Sequence, residues 1–357
     1  MASDTAPQTP GLAKTALFSS ATVLVLFVIL ELGIRSWSYY LRESYERFDL
    51  ATQTFTLVPG EHRGGKIRIN SEGFAGAELQ EPSEDLWRIV SIGESTTFSG
   101  GNETRSYSAK LEKILAVGNK PGRRFEVVNG GIQGQDSKLI LRRLQTKVLP
   151  LDPDVVLIWS GWNDLMKFDP IGQEKANQGA KVSRAIDRLW LVKGMRKLLF
   201  YYIRGYLDPP ATGPESRTRR FSDFTPTFYT QNLTDMIASI RESRAQPVLL
   251  TLLTVIREDM TNEELRDAGV MFPYYPSAYG VGDFLDIIRA YNRAIRRVAA
   301  ATGVPVVELD RVFAERTDYR ELFFDTMHTT DEGDAIIAEI IARFLERENL
   351  LGQPEAR

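Results

Sequence analysis

A serine between a buried strand and a pair of glycines is the first residue of this sequence with the setting of a nucleophile. The stretch Ile89–Gly101, IVSIGESTTFSGG, runs from apolar β-branched residues into Gly93-Glu94-Ser95 and then into small hydroxyl residues. A serine in this position is either a turn residue or a nucleophile, and a nucleophilic serine needs a base to remove its proton. The rest of the sequence decides between these two interpretations.

Only two histidines, His62 and His328, are available as that base near neutral pH. His328 follows Asp325 by three residues, a spacing that brings a carboxylate round to the imidazole Nδ1–H. His62 lies in the polar stretch GEHRGG without such a partner, and we expect it to be a solvated loop residue. The pattern therefore predicts Ser95 as nucleophile, His328 as base and Asp325 as the carboxylate that orients the base.

An attack by serine on a carbonyl also needs donors for the developing oxyanion. The candidates are the backbone N–H groups of Ser95 and Gly134 and the side-chain amide of Asn163, which follow three different apolar runs. Glycine at position 134 lets backbone approach a substrate without a Cβ in the way. A turn glycine and a helix cap remain alternative interpretations of Gly134 and Asn163.

The elements that would position these residues alternate between short apolar runs and amphipathic segments. This pattern predicts five parallel strands covered by helices on both faces, with the functional loops at the carboxyl ends of the strands. The predicted strands are Trp87–Ile92, Phe125–Asn129, Val155–Ser160, Val248–Thr254 and Val304–Leu309. The predicted helices are Tyr107–Val117, Ser137–Val148, Tyr229–Ser243, Phe284–Ala301 and Ala335–Glu346.

The order and spacing of these motifs over roughly residues 86–347 resemble the SGNH hydrolases, also called GDSL-type esterases and lipases. The block I motif G-D-S resembles Gly93-Glu94-Ser95, and the block II glycine falls on Gly134. Block III, G-x-N-D, matches Gly161–Asp164, and block V, D-x-x-H, matches Asp325–His328. The resemblance implies a three-layer α/β/α, flavodoxin-like fold with a mostly five-stranded parallel sheet.

The same resemblance implies cleavage of an acyl ester, on a lipid or an acylated glycan, through a Ser95–His328–Asp325 triad and an oxyanion hole of Ser95, Gly134 and Asn163. Two alternatives stay open: acyl transfer to a cell-surface polysaccharide, and a non-catalytic binding protein on the same fold. Glu94 departs from the family aspartate, so hydrogen bonding near Ser95 is expected to differ. For Glu94 and Asp164 the sequence leaves ion pairing and solvation as alternatives.

Composition excludes several other classes of function. The 357 residues, 43% of them hydrophobic, are enough to bury one large core or two modest ones. The net charge of −3 gives no reason to expect a nucleic-acid partner, and the absence of cysteine excludes disulfides and thiolate sites. The two histidines lack the spacing of a helical metal motif, which argues against a zinc site. The predicted ester cleavage requires neither a metal nor an organic cofactor. The oligomeric state is left undetermined.

An apolar stretch near the N-terminus predicts a membrane anchor. Ala16–Ile34 holds one charged residue and, as a helix, would be about 28 Å long, close to the thickness of the bilayer hydrocarbon. No small-residue cleavage pattern follows, which favours an anchor over a signal peptide. Basic residues after the span outnumber those before it, which favours a cytoplasmic domain. The stalk, with the stretch RINSEGF (Arg68–Phe74), resembles membrane-anchored bacterial members of the family, which implies a periplasmic or extracellular domain.

The remaining segments complete the predicted organisation. Residues 1–15 form a short tail, 35–85 a stalk and accessory segment, 86–347 the hydrolase domain and 348–357 a C-terminal tail. An insertion at 170–225, with apolar residues at helical spacing among basic ones, is either a surface helix packed on the core or a lid at the membrane. The aromatic stretch Met271–Gly280 is either part of the substrate site or a surface loop.

Overall fold

A computed structural model of the protein describes residues 12–42, 45–101, 104–118, 122–167, 191, 211–218, 221–270 and 280–352. Most of the predicted 170–225 insertion and residues 271–279 of the aromatic stretch lie outside the described residues.

The described chain begins with one long helix, α1 (Leu12–Arg42). Its segment Thr15–Trp37 is long and apolar enough to cross a membrane, and most of its side chains are exposed. A membrane span and a signal sequence share this length and composition. The helix runs beyond the predicted boundary at residue 35 because residues 35–42 contain neither glycine nor proline to end it.

Glu31 is the charged residue inside the apolar part of α1, and its carboxylate is buried. It accepts hydrogen bonds from Arg35 Nε at 2.7 Å and from the backbone N–H of Leu191 at 2.6 Å. Leu191 is the one described residue between 168 and 210. The insertion therefore passes beside the C-terminal half of α1 at this residue.

The segment between α1 and the first core strand is folded into two antiparallel hairpins. The first pairs β1 (Glu46–Asp49) with β2 (Thr54–Leu57), and the second pairs β3 (Gly60–His62) with β4 (Ile67–Ile69). The predicted solvated position of His62 is wrong, because its Nε2 lies 2.7 Å from the carbonyl oxygen of Val58 and the residue is half-buried. The described part of this segment therefore contains folded, paired strands.

A small apolar cluster fixes the hairpins to the rest of the domain. Its members come from both hairpins and from two loops that follow core strands: Tyr45, Leu57, Ile67, Ile69, Ala75, Phe98 and Ile132. The rings of Tyr45 and Phe98 stack with their centroids 5.9 Å apart. Because Phe98 lies three residues after Ser95 and Ile132 two before Gly134, the hairpins are packed directly against candidate site loops.

A buried arginine adds a polar connection between the same parts. Arg143 donates from Nη2 to the Gly73 carbonyl oxygen at 3.0 Å and from Nε to the Gly130 carbonyl oxygen at 3.3 Å. Its guanidinium lies 5.0 Å from the centre of the Phe74 ring. Burial lowers the pKa of Arg143 to about 10, so the side chain remains a cation near neutral pH.

The core of the domain is a five-stranded parallel sheet with the order β6-β5-β7-β8-β9. The strands are β5 (Leu86–Gly93), β6 (Arg124–Asn129), β7 (Val155–Trp159), β8 (Gln246–Leu250) and β9 (Val306–Val307). The three inner strands are buried almost throughout, as expected for a sheet covered on both faces. The predicted five parallel strands are confirmed in order and approximate position.

Helices on both sides of the sheet complete the layers. They are α2 (Ser95–Phe98), α3 (Tyr107–Val117), α4 (Ser137–Arg143), α5 (Trp162–Lys167), α6 (Thr227–Glu242), α7 (Asn262–Asp267), α8 (Val281–Thr302), α9 (Leu309–Ala314) and α10 (Asp331–Arg347). The apolar residues of α8 recur on one face of the helix, and this face is buried.

Three predicted elements end two or more residues earlier than expected. The helix expected over Ser137–Val148 ends as an α-helix at Arg143, and its last residues form a π-type turn. The strand expected to reach Thr254 ends at Leu250. The strand expected over Val304–Leu309 is reduced to β9, because Pro305 has no N–H to donate and the backbone leaves the extended region at Glu308 to begin α9.

The residues after α10 are not a free tail where the structure describes them. Trp87 Nε1, on β5, donates a hydrogen bond to the carbonyl oxygen of Leu350 at 3.1 Å. Leu351 is buried in the main core. The predicted tail from residue 348 therefore packs on the sheet as far as the description extends.

Candidate active site

The candidate residues stand on loops that follow the carboxyl ends of neighbouring strands. Ser95 begins α2 two residues after β5 ends at Gly93. A Cβ on Gly93 would lie 2.2 Å from the carbonyl oxygen of Trp159, the last residue of β7. A Cβ on Gly131, after β6, would lie 2.3 Å from the backbone nitrogen of Phe98. Glycine at these two positions lets the loops of three strands touch at the backbone.

A chain of hydrogen bonds joins the three residues predicted to do chemistry. Ser95 Oγ lies 2.8 Å from His328 Nε2, although the two residues are 233 positions apart. His328 Nδ1 lies 2.7 Å from Asp325 Oδ2 and 2.9 Å from Asp325 Oδ1. The structure thus brings Ser95, His328 and Asp325 together in the order hydroxyl, imidazole, carboxylate.

Asp325 is held as an anion by its own loop. Burial by itself would raise the pKa of Asp325, but the His328 ring and the backbone N–H groups of Met327 and His328 together lower it. Both backbone donors lie 2.9 Å from Oδ1. An ionised Asp325 binds the Nδ1–H tautomer of His328 and leaves Nε2 free to accept the Ser95 proton.

The imidazole is also supported on one face by an aromatic ring. Phe324 stacks on His328 with ring centroids 5.5 Å apart and an angle of 13° between the planes. The Phe324 backbone N–H donates to the His328 carbonyl oxygen at 3.1 Å. Phe324 is 64% exposed, so its outer face is available at the mouth of the site.

Gly134 and Asn163 occupy different positions relative to the cavity. Gly134 lines the same cavity as Ser95 and His328, in the left-handed conformation (φ 69°) that favours glycine. Asn163 lies in the first turn of α5 and is tied to the residue before Ser95. The structure therefore connects both predicted oxyanion donors to the Ser95 loop, Gly134 through the cavity wall and Asn163 through a hydrogen bond.

Glu94 provides that hydrogen bond, and the suggestion that it is solvated is wrong. Its side chain is only 1% exposed. It accepts from the Gly161 N–H at 2.8 Å, from the Asn163 N–H at 2.8 Å and from Asn163 Nδ2 at 3.1 Å. The acidic residue that departs from the family motif thus fixes the side-chain amide of Asn163 and the backbone on either side of Trp162.

Asp164 is also buried, so the alternative that its side chain is solvated is wrong. Its Oδ2 accepts from the Ser137 N–H at 2.7 Å and its Oδ1 from the Ser137 Oγ at 2.5 Å. Ser137 begins α4, directly after the loop that contains Gly134. Asp164 therefore joins the loop after β7 to the loop after β6.

Asp334, in α10, makes a third connection of this kind. It accepts hydrogen bonds from Ser99 Oγ and Thr329 Oγ1, each at 2.5 Å. Burial raises the pKa of Asp334 to about 6 despite these donors. Because Ser99 caps α2 and Thr329 follows His328, this residue holds the Ser95 helix beside the histidine loop.

The cavity above Ser95 has a volume of about 1020 Å³. One side is lined by the candidate site loops, including Gly134 and Phe324, and the other by residues of the hairpin segment, including Tyr45, Arg63 and Lys66. Among the described residues, no group of three or more His, Asp or Glu side chains is arranged to hold a metal ion.

The sequence did not reveal the roles of Glu94 and Asp334 or the contribution of the hairpin segment. For Glu94 the available signal was its substitution within the block I motif, which marked the position without identifying its partner. The Asp-Glu-Gly-Asp stretch after His328 offered acidic residues but not which of them is buried. Nothing in the hairpin sequence indicated its contact with Phe98.

The sequence profile of the GDSL-like lipase/acylhydrolase family matches residues 91–336, more than half of the chain. The chain therefore belongs to the GDSL-like lipase/acylhydrolase family, and its sheet and helices form the α/β/α fold of SGNH hydrolases. No protein of curated function matches the chain significantly.

Several solved structures are similar in fold. A lipase/acylhydrolase from Enterococcus faecalis is 16% identical, with a TM-score of 0.45 over 76% of this chain and 100% of that one. A GDSL-like lipase from Bacteroides thetaiotaomicron is 18% identical, with a TM-score of 0.43 over 76% of this chain and 93% of that one. The acetyl xylan esterase AlAXEase is 17% identical, with a TM-score of 0.44 over 72% and 98%.

The raised pKa of Asp334 predicts a pH-dependent contribution to stability. Between pH 4 and 6 the unfolded chain releases this proton while the folded chain keeps it, so rising pH favours unfolding. A change in pKa from 3.8 to about 6 amounts to about 3 kcal/mol. Relative to Asp334→Asn, which does not titrate, the wild-type chain should therefore lose about that much unfolding free energy as pH rises from about 3 to 7.

Denaturant unfolding of the two proteins at several pH values measures this difference. Glu332→Gln, which replaces an exposed carboxylate in the same turn of α10, is the matched control and should follow the wild-type curve closely. Parallel pH curves for wild type and Asp334→Asn would contradict the assignment.

Proposed function

We propose that this chain is a serine esterase that cleaves an acyl ester, acetyl esters included, through an acyl-enzyme on Ser95. The observation that carries the proposal is the hydrogen bond of 2.8 Å between Ser95 Oγ and His328 Nε2, with Asp325 on the other ring nitrogen. Membership of the GDSL-like lipase/acylhydrolase family supports ester cleavage as the type of reaction.

In the first step His328 Nε2 takes the Ser95 proton while Oγ attacks the ester carbonyl. Asp325, ionised because its loop lowers its pKa, stabilises the imidazolium that forms. The imidazolium then gives its proton to the departing alcohol, which leaves an acyl group on Ser95. Water attacks this acyl group, with His328 as base again, and the free acid and Ser95 are released.

The donors proposed for the tetrahedral oxyanion are the N–H groups of Ser95 and Gly134 and the Nδ2 of Asn163. The Ser95 N–H belongs to the first turn of α2, where backbone N–H groups have no partner within the helix. One hydrogen of Asn163 Nδ2 is held by Glu94, and the second remains for the oxyanion. Glu94 is thus a positioning residue, since it acts on the substrate only through Asn163.

We also propose that α1 anchors the esterase to a membrane, with the domain on the periplasmic or extracellular side. The length and apolar surface of Thr15–Trp37 support the anchor. The orientation rests on the resemblance of the segment with RINSEGF (Arg68–Phe74) to membrane-anchored family members. The basic residues Arg35, Arg42 and Arg47 after the span, against Lys14 before it, favour the opposite side.

Replacement of the nucleophile tests the esterase directly. Ser95→Ala should lower kcat/KM for a short p-nitrophenyl ester at least about 1000-fold, because among the described residues Ser95 is the hydroxyl that contacts His328 Nε2. The wild-type protein should also react covalently with a fluorophosphonate probe, and Ser95→Ala should not. Thermal unfolding of both proteins establishes that the fold is kept. Equal ester turnover by the variant would refute the proposal.

The positioning role of Glu94 is tested by Glu94→Gln. In the wild type both carboxylate oxygens of Glu94 accept hydrogen bonds from Gly161 and Asn163, whereas the glutamine places an NH₂ group, itself a donor, against one of these donors. We expect kcat to fall about 10–100-fold with little change in KM, because an oxyanion donor acts mainly in the transition state. Glu94→Asp keeps the carboxylate of the family motif and should recover part of kcat. A Glu94→Gln protein that folds and keeps the wild-type kcat would exclude this role.

The proposed topology is checked with reporters fused after residue 357. Alkaline phosphatase should be active there, because it acquires its disulfides only outside the cytoplasm. A green fluorescent protein fusion exported by the same route should stay dark. The opposite pair of results would place the domain in the cytoplasm, as the count of basic residues favours.

A further inference from the structure

One wall of the active-site cavity comes from outside the strand-end loops. The β3–β4 hairpin places its tip, Arg63-Gly64-Gly65-Lys66, at the cavity, and both basic residues line it together with Ser95 and His328. Arg63, Gly64 and Gly65 all have positive φ values of 51–79°, so the tip is a tight turn. This turn places the side chains of Arg63 and Lys66 at the same cavity.

The position of this tip is fixed by the packing of the hairpin on the domain. Ile67 and Ile69 of β4 are buried in the apolar cluster that also contains Phe98 and Ile132. The Arg63 guanidinium lies 5.1 Å from the centre of the Tyr45 ring, which restricts where the cation can go. The hairpin therefore presents its charges as a prearranged surface of the cavity.

The carboxylates that share the cavity are mostly engaged elsewhere. Asp325 binds His328, and Asp334 binds Ser99 and Thr329. Asp331 lies 3.0 Å from Lys110 and 3.9 Å from Arg105. Glu46 also lines the cavity and has an interaction of its own.

Arg63 and Lys66, in contrast, take part in no ion pair among the described residues. Both are cations at neutral pH. The cavity therefore offers two positive charges without a fixed counter-charge, at the end of a hairpin whose packing holds it against the Ser95 loop.

We propose that the Arg63–Lys66 tip binds an anionic group, a carboxylate or phosphate, carried by the same molecule whose ester bond Ser95 attacks. This inference rests on the proposed esterase function and adds the charge of its substrate. A guanidinium matches the two oxygens of a carboxylate or phosphate, and an ammonium adds a point charge beside it. The substrate class is an ester of an acidic compound, and the hairpin segment is its recognition surface.

Matched pairs of small esters test the inference with the full-length protein in non-ionic detergent. On the alcohol side, 4-acetoxybenzoate is compared with neutral 4-acetoxybenzamide, and 4-acetoxyphenyl phosphate tests phosphate. On the acyl side, mono-p-nitrophenyl succinate is compared with p-nitrophenyl butyrate. We expect the charged member of at least one pair to have a tenfold or greater advantage in kcat/KM, and this advantage should shrink at high salt.

The double variant Arg63→Gln/Lys66→Gln should lower the ratio of charged to neutral kcat/KM at least tenfold. Arg68→Gln is the matched control, because Arg68 is an exposed cation on β4 of the same hairpin and does not line the cavity. It should leave the ratio as in the wild type. Wild-type ratios near one for every pair, or ratios unchanged in the double variant, would overturn the inference while ester cleavage itself remained established.

Binding to the Ser95→Ala protein supplies a measurement that does not need turnover. By isothermal titration calorimetry, 4-acetoxybenzoate should bind at least tenfold more tightly than 4-acetoxybenzamide, and addition of Arg63→Gln/Lys66→Gln should remove the difference. Equal binding of the two esters would overturn the inference even if no ester were hydrolysed. If the charged ester bound preferentially but was not cleaved by the wild type, the proposed function would fail and the anion site would stand.

Discussion

The arrangement of the site depends on carboxylates that are buried at the carboxyl edge of the sheet and must find donors there. A buried carboxylate without hydrogen-bond donors is costly, so each one draws backbone or hydroxyl donors from a neighbouring loop. Glu94 takes its donors from the loop after β7, and Asp164 takes them from the start of α4. Asp334 takes them from the end of α2 and from the residue after His328.

These three residues connect the loops in a continuous series. The loop with Asn163 is bound to the Ser95 loop, the Gly134 loop to the Asn163 loop, and the histidine loop to the Ser95 helix. Because the candidate groups are distributed over these loops, the mutual positions of the loops decide which of the groups meet. These three buried carboxylates thus fix the relative positions of the loops. Among the described acidic residues, Asp325 is the one that contacts the imidazole of His328.

The hairpin segment gives the site a second side. Its apolar cluster shares Phe98 and Ile132 with the loops of β5 and β6, so the wall with Arg63 and Lys66 is fixed against the wall with Ser95. The hairpin segment thus supplies one wall of the cavity that contains Ser95.

The sequence by itself determined the local part of this protein. The strands and most helices follow from apolar periodicity, and the Asp325–His328 pair follows from a spacing of three residues within one loop. The strand-end positions of Ser95, Gly134 and Asn163 follow from the alternation of apolar runs with amphipathic segments. The N-terminal helix follows from a single apolar stretch. In each case the signal lies within a few neighbouring residues.

Only the tertiary structure decided which distant groups meet. The partners of Glu94 lie 67 and 69 residues away, those of Asp334 include Ser99 at 235 residues, and no periodicity encodes such pairs. The sequence also does not encode where the hairpins dock, because Tyr45 and Ile67 could bury their surface against many apolar partners. Burial and hydrogen-bond satisfaction are properties of the assembled packing, so the charge and depth of the site were not present in any local stretch of sequence.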